Sequence, residues 1–72
     1  MPLNLVDVGV TYTIQKILGR EKHRHHLESL GFVAGETVQV FSSFNGYYVI
    51  SVKGTKIGLD KFFAKMIIVN IA

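Results

Sequence analysis

The sequence predicts a mainly-β fold: a small five-stranded barrel with a short helical insertion after its first strand and a one-turn helix before its last. Three observations carry that expectation. Apolar and polar residues alternate in several short runs. An Asn-Gly pair stands between two of those runs. One charged stretch, unlike the rest of the chain, spaces its apolar residues as a helix does.

The first strand is read at Val10-Thr11-Tyr12-Thr13-Ile14, where alternation buries one face. The pattern slips at Lys16-Ile17, as it would at a bulge or a strand end. Gly19 interrupts, and residues 20–30 carry the charge-dense segment. Within it His23, Leu27 and Leu30 share one side of a helix. Gly31 follows where a left-handed residue would end that helix, although no good N-cap precedes it. Phe32 to Glu36 reads as a turn into the second strand, Thr37–Phe41. Asn45-Gly46 suits a type I′ hairpin turn, because both central residues of that turn need positive φ. Tyr47–Val52 returns as the third strand, rich in aromatic and β-branched residues. Lys53-Gly54 is a second tight turn, Thr55–Leu59 a fourth strand, and Asp60 caps a brief helix over Lys61–Lys65. Ile67–Ile71 closes the fold as a fifth strand. Five short strands joined by tight turns favour a barrel, which hides most sheet edges.

Length and composition narrow the function. Seventy-two residues make one domain, with room for one core and none for a deep cleft beside it. The balance of 49% hydrophobic and 18% charged residues is that of a globular chain. Cysteine is absent, which excludes disulfides and thiolate metal sites. The longest apolar run near the end, Met66–Val69, falls far short of a membrane span, and Met1-Pro2-Leu3-Asn4 has no signal-peptide character. A cytoplasmic protein with no direct membrane insertion is expected. A net charge of +3 favours acidic surfaces without selecting among them.

Few residues offer chemistry. His23 and His26, three apart on a helix, can touch one ion, whereas His25 projects elsewhere, and zinc usually takes three or four protein ligands. These three histidines are the candidate metal ligands, for weak Fe or Zn binding, and a transition-metal-responsive binding module built on them is the alternative to a docking role; no other cofactor is expected. Lys16, Arg20, Lys22 and Arg24 form a basic cluster that would contact phosphates in a salt-sensitive way. Phe41, Phe44, Tyr47 and Tyr48 flank the Asn-Gly turn, where exposed rings would stack on bases. An alternating strand must still turn one of Tyr47 and Tyr48 inward, and nucleic acid is not the expected partner. The acids Asp7, Glu21, Glu28, Glu36 and Asp60 are scattered, no serine sits in a nucleophile elbow, and the glycines are isolated at turns. No enzyme is expected. Docking to another protein remains, through the basic helix (Arg20, Lys22, His23, Arg24, His26) and the hairpin tip (Phe44, Tyr47, Tyr48). The chain itself is expected to be a monomer or a weak oligomer.

The ordered set Leu5, Gly9, Ile14, Ile17, Gly19, Leu27, Leu30-Gly31, Gly35, Val38 and Val40 resembles the FeoA family, ferrous iron transport protein A. The resemblance continues through Val49, Val52, Gly54, Ile57, Leu59 and Ala64-x-x-Ile67-x-Val69, and so covers almost the whole chain. It implies a five-stranded SH3-like barrel with a helical insertion. It further implies a cytoplasmic accessory that regulates the bacterial ferrous iron transporter FeoB by docking onto its cytosolic part. The matched positions are mostly turn glycines and barrel aliphatics, so the resemblance carries the fold further than it carries any binding residue.

Overall fold

The computed structural model describes residues 1–72. A 3₁₀ turn at Leu3–Leu5 precedes β1, Thr11–Ile17, and helix α1, Glu21–Ser29. Strands β2 (Thr37–Phe44), β3 (Tyr47–Val52) and β4 (Thr55–Asp60) follow as a meander. The one-turn helix α2, Lys61–Ala64, then leads into β5, Ile67–Ile71. All five strands pair antiparallel in one sheet, ordered β4-β3-β2-β1-β5. The five expected strands, the inserted helix and the one-turn helix are all present.

The slip of alternation in β1 is a bulge. Ile14 faces Val69 and Lys16 faces Ile68, so Gln15 is the extra residue in that strand. The extra residue returns Ile17, opposite Ile67, to the inner face despite its odd spacing from Ile14. A second bulge, unread in the sequence, lies in β2: Val40 faces Ile50 and Ser42 faces Val49, which leaves Phe41 as the extra residue. β2 consequently runs on to Phe44 rather than ending at Phe41.

The core gathers residues from every strand. Tyr12 and Ile14 of β1, Val38 and Val40 of β2, and Ile50 and Val52 of β3 meet Leu59 of β4 and Ile67 and Val69 of β5. Leu27 of α1 and Leu3 of the 3₁₀ turn close the cluster from outside the sheet. Each such aliphatic contributes roughly 1.5–3 kcal/mol over its exposed state. No buried residue is polar or charged apart from the tyrosine, whose hydroxyl accepts a bond from the Asp7 N–H at 3.1 Å. Phe32, placed in a turn by its sequence neighbours, is fully buried in this core.

Its burial follows from how α1 ends. Gly31 has φ +107°, its N–H bonds the Glu28 carbonyl, and the Phe32 N–H bonds that of Leu27. This pair of bonds is a Schellman motif, and its customary apolar contact is made here by Phe32 and Leu27. At the other end Arg20 caps the helix without any side-chain bond, as its sequence implied. α2 begins on a true cap: Asp60 Oδ1 accepts the Phe63 N–H at 3.1 Å.

The N-terminal residues lie along β5. Met1 exchanges two hydrogen bonds of 2.8 Å with Val69, and Pro2 bridges Ile68. β5 is thereby paired on both sides, by β1 and by the first residues. β4 is paired only by β3.

Candidate docking surfaces

The first surface is built where α1 meets α2. His23 and Leu27, one turn apart, point the same way as expected, yet His23 rests chiefly on aromatic rings. Its ring stands edge-on to Phe62, centroids 5.3 Å apart, and to Phe63 at 5.6 Å. His26 leans on Phe63 at 5.3 Å, and Phe62 meets Phe63 edge-on at 5.1 Å. These distances are those of favourable aromatic pairs. Two adjacent aromatics on one turn of helix cannot both enter the core. Phe63 packs against it, while Phe62 stays 44% exposed with the Lys65 ammonium 5.6 Å above its ring.

The histidines therefore serve two different settings. His23 and His26 form the joint with α2, whereas His25 turns outward beside Glu21, 3.8 Å away one turn earlier. No three histidine, aspartate or glutamate side chains in the chain are grouped to hold a metal ion. The basic residues divide too. Arg24 is half-buried and donates from its guanidinium to the Gly19 carbonyl at 3.1 Å, while Arg20 and Lys22 are exposed.

The second surface is the outer face of the β2–β3 hairpin. Asn45 and Gly46 have φ +51° and +75°, the signs a type I′ turn demands. That turn sets Phe44 directly opposite Tyr47. Phe44 is 77% and Tyr47 53% exposed, so neighbouring rings stand in solvent at the hairpin tip. Tyr48, read with them as a partner contact, turns inward and packs against the core opposite Leu59. Phe41 lies exposed on the bulge, with the Lys56 ammonium 3.8 Å from its ring centre. The Tyr47 ring lies over Gly58 of β4, occupying the space where a side chain would begin.

A single depression accompanies these surfaces. The one depression, about 240 Å³, is shallow and lined by Thr11, Glu36, Thr37, Val38, Gln39, Ser51, Lys53 and Gly54. Glu36 and Lys53 pair across it at 3.7 Å. The pairing of His23 and His26 with Phe62 and Phe63 was not read in the sequence. The only advance signal was the Phe62-Phe63 doublet itself, too many aromatics for one short turn. No helix is long and apolar enough to cross a membrane.

A structure of an iron uptake regulatory protein, FeoA, shares 33% identity with the chain at a TM-score of 0.89, covering 96% of this chain and 93% of that one. Iron(II) transport protein A from Clostridium thermocellum shares 27% identity at a TM-score of 0.88; 99% of this chain corresponds to 45% of that longer one. FeoA from Stenotrophomonas maltophilia, described as a prokaryotic SH3 domain protein and solved with zinc, matches in fold at a TM-score of 0.85. Its identity is 21%, and the match covers 97% of this chain and 89% of that one. Comparison with curated proteins gives no match. The FeoA domain model matches residues 1–71. With the curled five-stranded sheet, its inserted helix and the ordered turn glycines all in place, the chain belongs to the FeoA family, which is associated with ferrous iron transport.

Proposed function

We propose that this protein is a non-enzymatic, cytoplasmic accessory of ferrous iron transport that docks onto the cytosolic part of a FeoB-type transporter. It acts by binding one conformation of that partner better than another, since only a difference in affinity shifts an equilibrium. The observation that carries this reading is the exposed Phe44–Tyr47 ring pair on a rigid hairpin tip. Rings held by paired backbone lose little freedom on binding, and aromatic residues are the usual energetic anchors of interfaces. Arg20 and Lys22 at the start of α1 add positive charge that steers association toward an acidic partner. A shallow dish lined by a satisfied ion pair is consistent with a protein that binds rather than transforms.

Titration calorimetry against the cytosolic domain of the transporter tests the proposal. Truncating Phe44 and Tyr47 together to Ala weakens binding by about 2 kcal/mol or more, the size of an interface hot spot. Reversing Arg20 and Lys22 to Glu chiefly slows association and flattens its dependence on salt. Binding that neither pair of changes alters places the docking surface elsewhere. Absence of any binding to the cytosolic domain defeats the reading.

A further inference from the structure

We infer that the β4 edge is a self-association site, at which two copies of this chain pair antiparallel about a two-fold axis through Gly58. Three features of the strand lead there.

The first is that the sheet's two outer strands are treated differently. β5 is covered on its outer side by Met1 and Pro2. β4 keeps six residues in unbroken register with β3, from Thr55 to Asp60, and contains no proline and no bulge. Such an edge is a template for another strand unless something guards it. A lysine commonly does so. Here the Lys56 ammonium rests on the exposed Phe41 ring of β2 in the single chain, a contact it gives up for an opposite charge across the edge. This lysine therefore guards only against a partner strand that lacks an acid at the matching position.

The second is the direction of the free backbone groups. Lys53-Gly54 is a two-residue turn, so Val52 and Thr55 beside it exchange both hydrogen bonds. Alternation along the ladder then assigns the Thr55, Ile57 and Leu59 groups to β3. The N–H and C=O groups of Lys56 and Gly58 are left aimed outward. Asp60, two residues further on, continues the alternation, so Gly58 is the centre of the row Lys56, Gly58 and Asp60.

The third feature selects the occupant. Lys56 lies two residues before Gly58 and Asp60 two residues after it. A two-fold axis at Gly58 therefore sets Lys56 opposite the second copy's Asp60, and Asp60 opposite its Lys56. The same register pairs Ile57 with Leu59 across the axis. Directly opposed unlike charges stabilise strand pairs, and the two-fold makes each contact twice. Shifting the axis one residue toward the N-terminus loses the charge pairing, and shifting it two residues sets Lys56 against Lys56. Asp60 remains available, since one carboxylate oxygen caps α2 and the other has no partner. The Tyr47 ring over Gly58 would meet its counterpart beside the axis, which gives the contact an aromatic centre. An interface of one short strand is small, so the association is weak and reversible.

Sedimentation equilibrium across micromolar to millimolar concentration, combined with amide hydrogen exchange on the same samples, tests this. The expected result is a monomer–dimer equilibrium in which the Lys56 and Gly58 amides become protected as concentration rises. The Thr55 and Ile57 amides, bonded to β3 already, are protected throughout. Lys56→Glu sets like charges against each other at both ends and weakens the dimer by about tenfold or more. Its unchanged circular dichroism and Thr55 protection verify that the strand itself is intact. A strictly monomeric protein at millimolar concentration overturns the inference. So does a dimer in which the Lys56 and Gly58 amides exchange as freely as in the monomer, or one indifferent to Lys56→Glu.

Discussion

The His23 ring stands edge-on to the Phe63 ring, centroids 5.6 Å apart and planes at 84°, and this contact joins α1 to α2. Forty residues separate the two in the chain. The helix carries only Leu27 fully into the core, so the His23–Phe63 contact and its neighbour from His26 are a large part of what seats α1 on the barrel.

Phe63→Ala removes the ring that both histidines touch and part of the core lining. A half-buried phenylalanine in this setting is worth about 2–3 kcal/mol, toward the low end of phenylalanine truncations. His23→Ala costs less, about 0.5–1.5 kcal/mol. Urea denaturation of both single variants and the double variant checks the coupling. The double variant should lose less than the sum, because each single change already abolishes the shared contact.

Gly31→Ala tests the helix stop. The added methyl group meets only ordinary contacts, the nearest being the Lys53 Cδ at 3.7 Å, so crowding is not the issue. The cost lies in φ +107°, which an L side chain resists, and amounts to about 1–2 kcal/mol. Thermal unfolding should fall accordingly while the native spectrum is kept.

Asp60→Ala removes the only side-chain helix cap in the protein. The expected loss is about 1 kcal/mol, and Asp60→Asn, which can still accept the Phe63 N–H, should lose much less. Faster exchange of the Phe63 amide in Asp60→Ala but not in Asp60→Asn would localise the effect to the cap.

Gly58 and Tyr47 should be coupled. A Cβ on Gly58 would sit 2.7 Å from the outer end of the Tyr47 ring, which is exposed and can swing aside, so Gly58→Ala displaces that ring at a small cost of about 0.5–1 kcal/mol. In a Tyr47→Ala background the same change finds open space and becomes neutral or mildly stabilising, as alanine suits a strand better than glycine. Chemical denaturation of the four-membered cycle measures the coupling; additive losses would show that ring and glycine do not interact.

Local chemistry made most of the architecture legible. The Asn45-Gly46 and Lys53-Gly54 turns, the helix stop at Gly31, the cap at Asp60 and the bulge near Lys16 each depend on a few adjacent residues. Their backbone geometry is therefore written where it is used. The bulge at Phe41 was hidden because alternation breaks at Val40-Phe41 and Ser42-Ser43, and such a break ends a strand as readily as it bulges one until the partner strand is known. Phe32 escaped for a related reason: a loop residue is buried only if the helix before it delivers it to a core.

The candidate surfaces were legible only as lists of residues. By itself the sequence determined that one short helix is the most charge-dense stretch, that rings crowd one hairpin, and that one of Tyr47 and Tyr48 must face inward. Tertiary structure decided that Tyr48 is the inward one, that Arg24 is bound to the Gly19 carbonyl, and that His23 and His26 belong to a joint while His25 faces solvent. Turns and strand alternation are short-range consequences of backbone sterics and side-chain direction. Which exposed group meets which depends on how the curled sheet brings α2 beside α1, and no local pattern encodes that approach.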